Sequence, residues 1–179
     1  QPMGFYNLET LKQDARRHGV SILHPDINWS IGIAVIENEA IRLGFLHVKG
    51  IGGSNTAIIL RQRATNGDYF SVGNFMERTG LQLAALENLV DAGAFDLMGG
   101  HRRDIRWEMG LRYRPVNRQM SLPLPINQDI VAFPKQTAWE DMIGEYKTMG
   151  IYPKSHIMTF FRPQLRGTMT SLDMPFLED

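Results

Sequence analysis

Three glycines and a lysine stand together in Val48-Lys49-Gly50-Ile51-Gly52-Gly53, directly ahead of a run with helical composition from Ser54 to about Ala64. Glycine permits positive φ in a tight turn and lets a backbone approach a phosphate closely, while the helix that follows offers free N–H donors and a positive dipole end. Such a turn can hold a nucleic-acid backbone without reading sequence. The candidate contacts are Lys49, Gly50, Ile51, Gly52, Gly53, Ser54 and Asn55. A tight helix–helix turn without a ligand has the same composition and stays open as the alternative.

A second unit, Leu86-Glu-Asn-Leu-Val-Asp-Ala-Gly-Ala-Phe95, has one glycine at its turn, making Gly93 and Ala94 weaker candidates for the same contact. Beside it, His101 is followed by Arg102, Arg103, Arg106, Arg112, Arg114 and Arg118 against Asp104 and Glu108, a local positive excess. His101, Arg102, Arg103 and Arg106 therefore join the candidate DNA contacts, although arginine-rich helix ends also simply solvate a surface. Further on, Gln119-Met-Ser-Leu-Pro-Leu124 has a glutamine followed by spaced apolar residues in an extended stretch. It resembles the hexapeptide with which bacterial proteins bind the replication sliding clamp, with Gln119, Leu122 and Leu124 as the anchors; packing on the chain's own surface is the alternative.

Other chemistries find no support. The 179 residues include no cysteine, which removes disulfides and thiolate metal sites and fits a reducing cytoplasm. The five histidines lack metal-ligand spacing, and there is no Walker loop, nucleophile elbow or Asp-x-Asp pair for two magnesium ions. No catalytic constellation is legible. Lys plus Arg equals Asp plus Glu at 19 each, so any attraction to nucleic acid must be local. No apolar run approaches the roughly 20 residues that span a bilayer, and Gln1-Pro-Met-Gly-Phe-Tyr6 does not read as an export signal. The start without an initiator Met and the end at Asp179 read as those of a segment of a longer protein.

The elements that must position these residues are mainly helical, with a small N-terminal α/β part and a tandem helix-hairpin-helix unit. Asn7 can cap a helix from Leu8 to His18, with Leu8, Leu11 and Ala15 on one face and Gly19 closing it. Val20 to Leu23 reads as a strand, and the alternating runs Ile31-Ile33-Val35 and Ile41 to Phe45 read as a hairpin around 37–39. Ser54 or Asn55 would cap the next helix, Ser71 one that Gly80 ends, and Gln82 to Ala92 and His101 to Leu111 follow. Four prolines between Tyr113 and Gln136 suggest a linker, after which Thr137 and Glu140 form a capping box for a helix to Met149. A last short helix spans Ser155 to Phe161. The expected division is 1–46, 47–112, 113–136 and 137–179.

Gln1-Pro-Met-Gly-Phe-Tyr6, Asp14-Ala-Arg-Arg-His-Gly-Val20 and Pro25-Asp-Ile-Asn28 resemble the end of the fingers region in the alpha subunit of bacterial DNA polymerase III, a C-family polymerase. Ile41-Arg-Leu-Gly44, Val48-Lys-Gly-Ile-Gly52, Leu89-Val-Asp-Ala-Gly-Ala-Phe-Asp96 and Gly144-Glu-Tyr-Lys-Thr-Met-Gly150 continue that order, and the resemblance covers nearly the whole chain. Ser121-Leu-Pro-Leu-Pro125 and the stretch from Tyr146 to Pro163 are closer to the error-prone branch.

The resemblance implies a duplex-binding tandem helix-hairpin-helix unit behind the fingers, with primer-template DNA, the rest of the polymerase chain and the sliding clamp as partners. It also implies catalytic carboxylates and Mg²⁺ elsewhere in the parent enzyme. Two other classes stay open. A base-excision glycosylase would need a catalytic Asp or Lys in a base-sized pocket, and Asp68 and Asp91 lack that context. A structural or docking module would have no DNA affinity of its own.

Overall fold

The computed structural model describes residues 6–113 and 133–165. Helix α1, Leu8–Arg17, starts where Asn7 Oδ1 accepts from the Thr10 amide at 2.8 Å, and Gly19 at φ +79° turns the chain out of it. Its predicted apolar face does not face a core: Leu8 and Leu11 are exposed, and the buried residue is Lys12. The Lys12 ammonium reaches the carbonyls of Tyr152 at 2.8 Å and Ser155 at 2.7 Å, so polar bonds dock this helix.

Strand β1 (Ser21–Leu23) lies parallel to β3 (Ala40–Arg42), which pairs antiparallel with β2 (Val35–Glu37), giving the order β1-β3-β2. The hairpin forms, but closer to its turn than alternation predicts. Asn38 and Glu39 both take positive φ, 48° and 62°, the two-residue turn whose twist matches the strands it joins, so Glu37 belongs to β2. Ile31 and Ile33 lie outside the ladder. Their segment crosses Gly44 so closely that a Cβ there would sit 2.3 Å from the Ile33 carbonyl oxygen. The amides of Phe45 and Leu46 then bond to the carbonyls of Ile31 and Gly32, both at 2.9 Å.

The rest is helical: α2 Gly53–Asn66, α3 Val72–Thr79, α4 Leu83–Asp91, α5 Arg102–Arg112, α6 Ala138–Met149 and α7 Met158–Phe161. Local signals set most ends. Ser71 caps α3 through the Asn74 amide, and Gly80 closes it in the left-handed conformation. Thr137 and Glu140 form the capping box of α6, and Gly150 ends it.

Between these helices lies a core of Phe45, Ile59, Tyr69, Phe75, Leu86, Leu89, Phe95 and Met109. Tyr69 meets Phe75 edge-on at 4.8 Å, and Phe75 meets Phe95 at 5.2 Å. The Tyr69 hydroxyl donates to the Ile59 carbonyl at 2.8 Å, which satisfies the one polar atom that this ring buries. Ile27 and Leu43 from the sheet region and Met149 and Ile151 from beyond residue 136 enter the same core.

Candidate nucleic-acid interface

A single 3₁₀ turn, Phe45–His47, leads into the glycine hexapeptide, in which Ile51 is buried while Lys49, Gly50, Gly52 and Gly53 are exposed. Gly50 takes φ +79°. Gly52, extended at φ −81° and ψ −178°, is the N-cap of α2; sequence had pointed to Ser54 or Asn55. Both of those residues fall inside the first turn, because the first intrahelical bond runs from the Thr56 amide to the Gly52 carbonyl at 3.0 Å. The amides of Gly53, Ser54 and Asn55 precede that bond, so they remain available to an acceptor from outside the helix. A Cβ built on Gly52 or Gly53 meets nothing within 4 Å, so the surface over these amides is open.

Three contacts hold the turn. The Asn55 side-chain amide donates to the Gly50 carbonyl at 3.2 Å. Asn88, from α4, donates to the Lys49 carbonyl at 2.9 Å, and the Lys49 amide donates to the Thr148 carbonyl at the end of α6 at 2.8 Å. Sequence reasoning did not find Asn88 or Thr148, because each acts on the turn through a backbone atom of a distant residue.

The second turn is built differently. Gly93 (φ +80°) is enclosed: a Cβ there would lie 2.4 Å from Arg102 Nη2 and 2.9 Å from Asp96 Oδ2. Its amide donates to Val90, that of Ala94 to Leu89 and that of Asp96 back to Gly93, so the turn's donors are used internally. Ala94 is buried and its carbonyl accepts from the Ile27 amide at 3.1 Å. The open glycines of this half are Gly99 and Gly100, at φ +80° and +87°, just before the α5 N-cap His101; sequence reasoning passed over them.

The arginines divide. Arg102 turns inward to the fully buried Glu145, with Nη2 2.8 Å from Glu145 Oε1, and binds both Asp96 oxygens at 2.9 and 2.6 Å. Burial works against the Arg102 charge, but Asp96 and Glu145 outweigh it and raise its pKa above the ordinary value. His24 Nε2 lies 2.9 Å from the other Glu145 oxygen, tying the N-terminal part to α6. Arg106 pairs with Asp91, Arg103 with Glu140 at 2.9 Å and Arg112 with Glu108 at 2.7 Å. Arg102, Arg103, Arg106 and Arg112 are thus each matched by a carboxylate, some of them distant in sequence, and Arg114 and Arg118 lie outside the described residues. Arg103 and Arg106 stay partly exposed at the surface, whereas Arg102 does not.

Asp91, engaged by Arg106, and Asp68, on the open surface, give no carboxylate poised in a base-sized pocket. No group of three or more metal-ligating side chains occurs among the described residues, and the carboxylates near α5 gather around guanidinium groups. Gln119, Leu122 and Leu124 lie outside the described residues. No described helix is long and apolar enough to cross a membrane.

A family described as the helix-hairpin-helix motif matches residues 19–105. The error-prone DNA polymerase of Pseudomonas fluorescens strain Pf0-1 is 32% identical over 182 residues, covering 99% of this chain and 18% of the relative. Those of Mycolicibacterium paratuberculosis and Nocardia farcinica are 34% and 35% identical, each covering 92% of this chain and 15% of the relative. The chain spans under a fifth of the length of these relatives. Over nearly all of its residues, and together with the helix-hairpin-helix match, the chain is similar to one segment of the error-prone DNA polymerases.

Proposed function

We propose that this chain binds duplex DNA through the phosphate backbone, without reading sequence, as part of a DNA-directed DNA polymerase. The observation that carries the reading is the open start of α2. Gly52 and Gly53 leave the amides of Gly53, Ser54 and Asn55 uncovered, and Lys49 is exposed beside them. Amides at a helix N-terminus are suited to a phosphate oxygen, and side chains absent at two consecutive positions leave room for it to approach. The bracing of this turn by Asn88 and Thr148 reduces the ordering cost of binding. In the second half we assign the equivalent contact to Gly99, Gly100, His101 and Arg103, with Gly93, Ala94 and Arg102 supporting the turn from within.

The test is anisotropy of labelled duplexes of unrelated sequence titrated with this chain over a range of salt. Equal affinity for each duplex, with a salt slope corresponding to about two to four phosphates at roughly −0.9 each, is expected. Strong preference for one sequence overturns the reading.

A docking role without DNA affinity is the second reading, and one observation favours it. Trp29, Phe70 and Leu97 are exposed around a cleft of about 260 Å³ and rest on a pinned base, since Asn28 exchanges two hydrogen bonds with the Tyr69 backbone at 2.9 and 2.8 Å. No binding to any duplex at low salt would select this reading.

A further inference from the structure

Strand β1 is an edge of the sheet, and its free side opens into a groove of about 340 Å³. The floor is the run 19–23; Arg16 stands on one wall and Pro153 and Lys154 on the other. The lining carries two cations and no carboxylate. Arg16 and Lys154 are exposed, and neither has an ion-pair partner among the described residues.

The groove is fixed in shape. Its walls belong to segments far apart in the chain, and the buried Lys12 fastens them: its ammonium, on α1, donates to the carbonyls of Tyr152 and Ser155 on either side of Pro153 and Lys154. The backbone along the floor is also unsaturated. In a parallel ladder alternate residues turn both main-chain groups to opposite edges. The Leu23 carbonyl accepts from the Leu43 amide at 3.1 Å, so Leu23 and Ser21 face β3 and Ile22 turns its N–H and C=O to the groove. Neither group of Ile22 has a backbone partner among the described residues.

We propose that this groove is a docking site for an acidic, extended peptide, which adds a strand to the free edge of β1. The main-chain groups of Ile22 would pair with the incoming backbone, and Arg16 and Lys154 would meet carboxylates spaced along it. Charge selects the occupant's sign, and the unpaired strand edge selects a polypeptide over a phosphodiester chain. No aromatic side chain lines the groove to stack a base.

The probe is a fluorescein-labelled peptide, acetyl-Glu-Val-Glu-Val-Glu amide, titrated into the 179-residue chain by anisotropy. A second peptide of the same sequence and charge is N-methylated at alternate residues, so that it cannot pair as a strand. Binding is expected to weaken by about tenfold in the Arg16→Glu, Lys154→Glu variant, which loses two exposed ion pairs and gains two repulsions. The N-methylated peptide should weaken similarly, and the Ile22 amide resonance should shift with the first peptide only. Circular dichroism on the variant separates lost binding from lost fold. Equal binding of both peptides, no binding up to millimolar peptide, or tighter binding of an oligothymidylate that the same two substitutions abolish would each overturn the proposal.

Discussion

The side-chain amide of Asn88 donates to the carbonyl oxygen of Lys49 at 2.9 Å, so a residue of the second helical hairpin holds the turn of the first. The two halves are therefore coupled at the atoms that shape the candidate phosphate contact. Asn88→Ala removes the donor while leaving the acceptor exposed to water, so a stability loss of about 1 kcal/mol is expected. Duplex affinity should fall severalfold, because the turn then samples conformations that scatter its amides. Thermal melting together with anisotropy checks both; unchanged affinity would show that the brace has no part in binding.

Gly50 and Gly52 sit two residues apart but should respond differently to a methyl group. Gly50→Ala forces a Cβ at φ +79° and to 3.1 Å from the Asn88 side-chain nitrogen, and is expected to cost about 1–2 kcal/mol of stability. Gly52→Ala, in an extended conformation with open space around it, should cost only the poorer capping of alanine at the start of α2, under about 1 kcal/mol and less than Gly50→Ala. Equal destabilisation by both would contradict the conformations described for this turn.

Glu145 is fully buried between Arg102 and His24. Arg102→Ala strips it of its guanidinium partner and opens Asp96 as well, a loss of about 3–5 kcal/mol, as for other buried pairs broken on one side. Arg102→Met combined with Glu145→Leu should recover a large part of that loss, because it removes the fully buried carboxylate, while Asp96, which also loses its partner, is part-exposed and keeps contact with water. Urea unfolding of the single and double variants decides this; a double variant as unstable as Arg102→Ala would mean that packing, not the stranded charge, dominates.

Two groups of carboxylates oppose each other as pH falls. Hydrogen bonds from Arg42 hold the Glu37 carboxyl below its ordinary value, so its contribution is complete above the unfolded glutamate pKa of about 4.3 and is lost as pH falls through the lower folded value. Burial pushes Asp26 the other way, so protonation of that group favours the fold as pH falls. Glu37→Gln should remove one destabilising component of acidification and flatten the acid limb of stability against pH. An acid limb of the same slope in the variant would show that Glu37 is not ionised differently in the folded state.

Local signals were legible where one residue fixes one backbone group. Asn7, Ser71, Gly80 and the Thr137–Glu140 box set helix ends with atoms three or four positions away, and each stands where its type requires. The hidden features depend on distant carbonyls and carboxylates. Leu8 and Leu11 have helical spacing, but periodicity identifies a stripe without saying whether a neighbour covers it, and here the docking group is Lys12. Arg102 likewise belongs by sequence to a basic run; only the fold brings Asp96, Asp141 and Glu145 around it. The glycines of the first turn were legible as a candidate site, whereas Asn88 and Thr148, which shape it, were not. A hydrogen bond to a backbone atom leaves no mark on the identity of the residue that accepts it.

The most direct test compares duplex binding by the native chain and by a Gly52→Val, Gly53→Val variant at several salt concentrations. Both glycines face open space, so the variant should fold, melting slightly lower because valine caps α2 less well than Gly52, while its side chains occupy the approach to the α2 amides. The account predicts salt-sensitive binding by the native chain that falls by about tenfold or more in the variant, with a shallower salt slope. Undiminished binding by a folded variant would contradict the assignment of this turn as the DNA contact.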